Sequence, residues 1–179
     1  DDGMVYWDVR PSANFPTIEV RVADVPATVA ETVLLATLIR ACVMTAMDDE
    51  RGGASIPPLT PHALKAAYWK SARDGLEGQA VDLDSHQPAP ARKLLDRLVD
   101  RVRAALEAVG DYDLVRAELD RVAREGNGAM RQRRAFSKRG EVADVIAEAA
   151  TATLASDGLD LLLDEPVTLD RQTDLVFAM

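Results

Sequence analysis

Cysteine and histidine are scarce in this chain, and very long apolar runs are absent. The single cysteine, Cys42, excludes an intrachain disulfide and argues against the disulfide-rich class of small secreted proteins. His62 and His86 lie far apart and lack the paired spacing of zinc ligands, so a surface or helix-start role is expected for each. The longest apolar stretch, Val33–Met47, falls short of the roughly 20 residues of a membrane span, which favours a buried helix and no membrane.

Positive charge is in deficit as well. The 179 residues include 21 Lys and Arg against 30 Asp and Glu, a net charge of −9, which disfavours binding to nucleic acid or to an anionic membrane. One basic cluster contains Arg131, Arg133, Arg134, Lys138 and Arg139. In so acidic a chain this cluster is interpreted as a solvated helix edge or loop, with a ligand-facing arginine as the alternative. The lone cysteine favours a reducing, cytoplasmic environment.

Core-forming residues and helical patterns are abundant. Hydrophobic residues make up 47% of the chain, enough for one compact unit. Two strands are predicted at 5–10 and 17–22, close enough in sequence to pair antiparallel. Thr28 precedes Glu31 at the capping-box spacing, so a helix is expected to begin there and to run to about Met47. Further helices are predicted at about 62–74, 91–109, 113–124 and 141–154, which makes the fold class α+β.

Several side chains in the first two predicted helices have more than one reading. Tyr68 and Trp69 are interpreted as packing residues rather than as a platform on which bases stack. Arg73 either complements the dipole at the end of its helix or reaches an active site. Cys42, inside an apolar helix, is interpreted as an unreactive core thiol.

Side chains alternate along a strand, so the two predicted strands divide into a polar and an apolar face. The polar face is expected to carry Asp8, Arg10, Glu19 and Arg21. The apolar face is expected to pack Ile18, Val20 and Val22 against the first helix. Carboxylate oxygens bind Mg²⁺ and arginine forks bind phosphate oxygens, so the polar face suits a magnesium nucleotide. The alternative is an ordinary solvated sheet face with cross-strand ion pairs.

The same two strands carry a family resemblance. Their motifs are Val5-Tyr6-Trp7-Asp8-Val9-Arg10-Pro11-Ser12 and Thr17-Ile18-Glu19-Val20-Arg21-Val22-Ala23-Asp24. They closely resemble the second half of the glutamate-cysteine ligase type 2, or carboxylate-amine ligase, family, which belongs with glutamine synthetase. Agreement continues in Ala72-Arg73-Asp74-Gly75-Leu76-Glu77-Gly78 and, more loosely, over 126–133. The resemblance implies a glutamine synthetase-like catalytic domain over 1–155, whose antiparallel strands pack with a mainly helical portion, followed by an acidic, leucine-containing tail at 156–179.

The resemblance also implies roles for the polar face and an activity. Glu19 matches the metal-binding glutamate of the family, and Arg21 matches an arginine that contacts phosphate or the substrate carboxylate. Arg10 matches an arginine near the nucleotide phosphates, with Asp8 expected beside it. The implied cofactors are ATP and Mg²⁺. The implied reaction joins glutamate, or another carboxylate, to an amine such as cysteine through an acyl phosphate.

The departure from the family lies at the front of the chain. Members of the family begin with a Glu-x-Glu strand that supplies further metal ligands, and this strand is absent from the 179 residues. We therefore expect the chain to be inactive alone and to need the missing N-terminal half or a second copy of itself. The rival hypothesis is a non-catalytic, helical protein-interaction module, with the leucines of 159–163 and 175–177 as a packing arm. An open cleft lined by Glu19 and Arg21 favours the ligase, whereas a face covered by other side chains favours the rival.

Overall fold

The computed structural model describes residues 8–55 and 58–154, and the earlier part of the first strand and the whole acidic tail lie outside the described residues. In chain order the elements are β1 (Val9–Pro11), β2 (Ile18–Val20), α1 (Val29–Arg51), α2 (Pro61–Asp74), a 3₁₀ turn (Gly75–Glu77), β3 (Gln79–Asp82), β4 (Gln87–Pro90), α3 (Ala91–Ala108), α4 (Tyr112–Glu125), α5 (Gly128–Arg139) and α6 (Val142–Leu154). The described chain has an α+β fold, as predicted, and contains two small antiparallel sheets.

Two compact units make up the chain. The first combines the residues up to Val33 with those from Gly128 onward, and the second is 34–127. In the first unit, β1 pairs with β2, and α5 packs against α6. The turn between these two helices is fixed by Arg139, whose Nε donates to Asp144 at 2.9 Å and whose Nη2 donates to the second carboxylate oxygen.

Capping side chains begin α1 and α2, as the helix-start signals in the sequence indicate. The Thr28 hydroxyl oxygen accepts the Glu31 N–H at 3.1 Å. The Glu31 carboxylate returns to the N–H of Ala27 at 3.2 Å, one residue earlier than in the usual capping box. At α2, the Thr60 hydroxyl accepts the Ala63 N–H at 3.2 Å, and proline occupies the first helical position. The two predicted helices therefore exist, and α1 runs four residues further than expected, from Met47 to Arg51.

Helix α1 is longer and more exposed than predicted. It has 23 residues and, by length and composition alone, could cross a membrane, a test that core helices of soluble proteins also pass. Within it only Leu34, Thr37 and Ala41 are buried. The prediction that its apolar surface is covered nearly all round is therefore wrong for the described chain, because most of its other apolar side chains are only partly buried.

The core of the second unit forms where α1, α3 and α4 meet. Its buried side chains are Leu34, Ala41, Val99, Val102, Ala105, Leu106, Val115 and Val122. The ion pairs Arg40–Asp111 and Arg101–Asp49 link α1 to the other two helices at the edge of this core. The apolar repeat of this segment, Leu94, Leu98, Val102, Ala105 and Val109, predicts the buried face of α3. Val102 and Ala105 are buried as predicted, whereas Leu98 and Val109 are exposed and Val99 and Leu106 are buried instead.

The segment 74–78 owes its glycines to close packing. Gly75 ends α2 with φ +60°, a conformation that glycine adopts at little cost. A Cβ on Gly78 would lie 2.5 Å from the Cβ of Asp74, so a larger residue cannot occupy this position without movement of the backbone. Asp74 itself pairs with Lys70 one turn earlier. The motif that ends α2 thus has a structural explanation of its own.

No sequence pattern predicted the hairpin formed by β3 and β4. It pairs Gln79 with Pro90 and Asp82 with Gln87. Prolines disfavour strands because they lack an N–H donor, and β4 contains two of them, which concealed the strand. The turn is held by Asp82, whose carboxylate accepts the Asp84 N–H at 3.1 Å and a bond from Arg97 Nη1 at 2.7 Å.

The contacts of Asp82 in this turn predict how the stability of the fold depends on pH. The Arg97 guanidinium, with the Asp84 N–H and the Ser85 hydroxyl, lowers the pKa of Asp82 to about 2 from its ordinary value of 3.8. Because the folded pKa is the lower one, the stabilisation is complete above about pH 4 and is lost as the pH falls through about 2. Thermal melts from pH 5 to 2 should therefore show Asp82→Asn less stable than wild type at pH 5 and equal to it near pH 2. A difference in Tm that does not change with pH would contradict this account.

Candidate functional site

The polar face of the β1–β2 hairpin is set by the register of the two strands. Arg10 lies directly opposite Glu19. At the next position the Arg21 N–H donates to the Asp8 carbonyl at 2.7 Å. Directly opposed residues in an antiparallel pair project to the same side of the sheet. The prediction that Arg10 and Glu19 share a face is confirmed.

The turn between the strands explains this register. The Ser12 hydroxyl oxygen accepts the N–H groups of Asn14 at 3.3 Å and of Phe15 at 3.2 Å. The Ser12 N–H donates to the Thr17 carbonyl at 2.9 Å and closes the loop. Serine is favoured here because its short side chain can replace the backbone bonds that a turn leaves unmade. Local sequence thus fixes which residues of β1 and β2 face each other.

Glu19 is shared between two arginines. Its Oε2 lies 2.5 Å from Arg10 Nε, and its Oε1 lies 3.1 Å from Arg21 Nε. One negative and two positive charges therefore lie together, and the group has a net charge of +1. A site of this charge favours an anion with several oxygens, since guanidinium groups bind phosphate and carboxylate oxygens with strong, directed hydrogen bonds.

This face is not covered by other side chains of the described residues. The Glu19 and Arg10 side chains are each 29% exposed, and Arg21 is 43% exposed. Asp8 at the edge is exposed as well. Solvent and a ligand can therefore reach the shared carboxylate.

A divalent metal would find only part of a site here. Within 8–55 and 58–154 no group of three or more His, Cys, Asp or Glu residues could hold a metal ion. Mg²⁺ often keeps several waters and takes only one or two protein carboxylates together with substrate phosphates. Glu19 would fit that pattern as a single hard ligand beside two arginines. The remaining oxygens would have to come from phosphate, water or further polypeptide.

The opposite face of the hairpin does not meet the prediction. Val9, Ile18 and Val22 are 49%, 46% and 44% exposed. Ile18, Val20 and Val22 were expected to pack against the first helix. That expectation is wrong for Ile18 and Val22, and Val20 is only partly buried. Two strands of three residues each are too small to build a core of their own, and the described chain leaves most of this apolar surface in solvent.

Arg131 is neither solvated nor directed to an open site. It lies on helix α5, so the segment is a helix and not a loop. Its guanidinium donates to both carboxylate oxygens of Glu31. Each of the two side chains is 12% exposed. The partners are 100 residues apart, so no local pattern could have paired them. The neighbouring Arg133, Arg134 and Lys138 are exposed, as expected of a helix edge.

The remaining candidates in the first two helices and the hairpin occupy ordinary positions. Trp69 is 63% exposed and Tyr68 is 39% exposed, so the prediction that they pack in the interior is wrong. Arg73 lies in the last turn of α2, where the helix dipole favours a cation, and its guanidinium lies 5.3 Å from the Trp69 ring centroid. Both histidines are exposed. Cys42 packs against the core, and burial raises the pKa of its thiol, in keeping with an unreactive residue.

Comparison with known proteins places the chain in one family. Glutamate-cysteine ligase family 2 (GCS2) matches residues 1–148. A protein of Mycolicibacterium vanbaalenii, provisionally named glutamate–cysteine ligase 2-2, is 66% identical over 154 residues, covering 86% of this chain and 42% of that relative. A provisionally named glutamate–cysteine ligase 2-1 of Nocardia farcinica is 53% identical over 154 residues, covering 86% of this chain and 40% of that relative. The chain spans about two-fifths of the length of these curated relatives. The extent of the family match and these identities show that the chain belongs to glutamate-cysteine ligase family 2.

Proposed function

We propose that this chain contributes the phosphate-binding part of an ATP-dependent carboxylate–amine ligase. The observation that carries the proposal is Glu19, held between Arg10 and Arg21 on an open sheet face. Membership of glutamate-cysteine ligase family 2 supports the reaction class, and the names of the relatives support glutamate and cysteine as the substrates. We further propose that the chain acts together with polypeptide beyond it, or with a second copy, because it spans only 42% of a close relative.

The proposed reaction has two steps. An oxygen of the substrate carboxylate attacks the γ-phosphorus of ATP, the bond from that phosphorus to ADP breaks, and an acyl phosphate forms. The amine nitrogen then attacks the acyl carbon, loses a proton, and expels phosphate to leave the amide. Neither step needs a nucleophilic side chain. Catalysis of this kind relies on positioning and on the neutralisation of charge at the transferring group.

Each residue of the polar face has a role in this proposal. Arg10 and Arg21 bind phosphate oxygens or the substrate carboxylate and hold the reacting groups in line. Glu19 offers a carboxylate oxygen to the magnesium ion, which neutralises phosphate charge when bound. Asp8, exposed at the edge of the hairpin, lies beside the nucleotide. Arg10 and Arg21 contact Glu19 through Nε, and each guanidinium carries further N–H donors that a ligand can bind.

A second candidate function is that of a non-catalytic protein-interaction module with the same fold. Several apolar side chains outside the hairpin are exposed, including Trp69, Val142 and Ile146 at 63%, 65% and 65%. Exposed aromatic and aliphatic side chains are typical of surfaces that bind other proteins. A non-catalytic interaction module would therefore use these surfaces and would be indifferent to changes at Glu19. The tests below separate the two candidates.

We expect the 179-residue chain alone to release no ADP when it is given ATP, Mg²⁺, glutamate and cysteine. The reason is the incomplete metal site, in which the described residues supply too few ligands. The measurement is a coupled assay of ADP release, with one of the longer relatives as the positive control. Glutamate-dependent ADP release by the chain itself would contradict the proposal that further ligands come from elsewhere.

Glu19→Gln, made in the longer ligase that contains this sequence, should lower amide formation by about 100-fold, the size typical of one lost electrostatic contact in a transition state. The amide keeps the shape of the side chain but gives up the charge that attracts Mg²⁺. A magnesium titration should shift to higher concentration, whereas Tm should change by only a few degrees because exposed ion pairs add about 0–1 kcal/mol. Glu50→Gln, an exposed carboxylate near the end of α1, is the control. Wild-type activity in Glu19→Gln would exclude the metal role.

Arg21→Lys tests the planar fork separately from the charge. Lysine keeps the positive charge but lacks the fixed pair of donors that matches a phosphate or a carboxylate. We expect turnover to fall by roughly 10- to 100-fold through loss of alignment, with the magnesium dependence unchanged. Arg51→Lys is a matched control, since Arg51 pairs with Asp48 in a fully exposed contact. An equal fall in both variants would show that the effect is not specific to the candidate site.

A further inference from the structure

Arg131 belongs to a partly buried ion pair that the proposed reaction does not use. Its Nη1 lies 2.8 Å from Glu31 Oε1, and its Nη2 lies 3.2 Å from Glu31 Oε2. Both side chains are 12% exposed, less than half the 29% of Arg10 and Glu19. A carboxylate oxygen of Glu148 on α6 lies 3.8 Å from Arg131 Nε. One guanidinium therefore joins the start of α1 to both helices of the α5–α6 pair.

Stability alone does not account for such a pair. The cost of taking two charges out of water roughly cancels their attraction, and apolar side chains of the same volume are often as stable or more so. A bidentate ion pair adds direction, because two parallel N–H···O bonds fix how the two side chains are oriented. A fixed orientation is useful where another group depends on it.

The group that depends on the orientation of Glu31 is the connector 21–27, which follows β2. Glu31 accepts the N–H of Ala27 at 3.2 Å with the same Oε2 that receives Arg131 Nη2. The connector therefore ends on a carboxylate that Arg131 holds in place. At its other end the Arg21 N–H bonds to Asp8. Between these two anchors the connector has little packing, since Val22 and Val25 are 44% and 85% exposed.

We propose that Arg131 is a positioning residue for the candidate site. Through Glu31 it holds the connector 21–27, and the connector in turn sets the direction of Arg21 and Glu19 at the end of β2. Arg131 does not touch the ligand in this arrangement. Its effect on turnover rests on the proposed function, whereas its effect on the connector does not, so the two can be tested separately.

The first test measures amide hydrogen exchange in the 179-residue chain. In Arg131→Met, exchange of the Ala27 and Arg21 amides, which are the hydrogen-bonded amides of 21–27, should quicken by about tenfold, the effect expected when one anchoring bond is lost from a local opening. Arg139→Met is the matched control, because Arg139 lies on the same helix and makes a two-bond pair with Asp144 that has no link to β2. The control should leave 21–27 unchanged. Glu31→Gln, which keeps the shape and the acceptor for Ala27, serves if Arg131→Met does not fold.

The second test measures turnover in the longer ligase, well below the melting temperature. Arg131→Met should lower kcat by about 10- to 100-fold through misalignment, with a smaller change in KM for magnesium-ATP, and Arg131→Lys should recover part of it. Unchanged exchange in 21–27 would overturn the inference, as would faster exchange with unchanged turnover. If the wild-type ligase itself forms no amide, the proposed function fails, and the exchange measurement still decides whether Arg131 holds the connector.

Discussion

The first unit of this chain depends on one partly buried contact between segments that are far apart in sequence. Glu31 and Arg131 are separated by 100 positions, and their ion pair brings the start of α1 to the α5–α6 pair. The β1–β2 hairpin has only three residues in each strand and cannot fix its own surroundings. The Thr28 cap, the Ala27 N–H and the Arg131 fork all meet at Glu31, so this one carboxylate organises the turn that follows the hairpin.

Much of the helical fold could be predicted because its signals are local. Thr28 and Glu31, or Thr60 followed by Pro61, show where helices begin, and the structure begins them there. The β3–β4 hairpin could not be predicted, because the prolines of β4 hide a strand whose turn is stabilised by Arg97 from a later helix. Periodicity also left the register of α3 uncertain by about one residue, since several neighbouring stripes of that helix are apolar.

Part of the candidate site could also be predicted from local sequence. Alternation along each strand placed Asp8 with Arg10 and Glu19 with Arg21, and the antiparallel pairing of the two strands, with a register set by the Ser12 turn, brings Arg10 opposite Glu19. Burial of the opposite face was not predictable, because it depends on whatever covers Ile18 and Val22, and two short strands do not supply that cover. The role of Arg131 was hidden for a different reason: its partner is remote in sequence, and composition suggested a solvated arginine.

If the proposed site binds both a metal and a phosphate, the carboxylate shared by two guanidiniums would make the two ligands depend on each other. Glu19 is paired with Arg10 and Arg21, which neutralise its charge. A polyphosphate that competes for the guanidiniums would leave the carboxylate with less counter-charge and make it a better metal ligand. A metal bound to Glu19 would free the arginines in the same way, and by thermodynamic linkage each ligand would strengthen the binding of the other by an equal factor. The hairpin would then bind metal and phosphate tightly together and either one weakly alone.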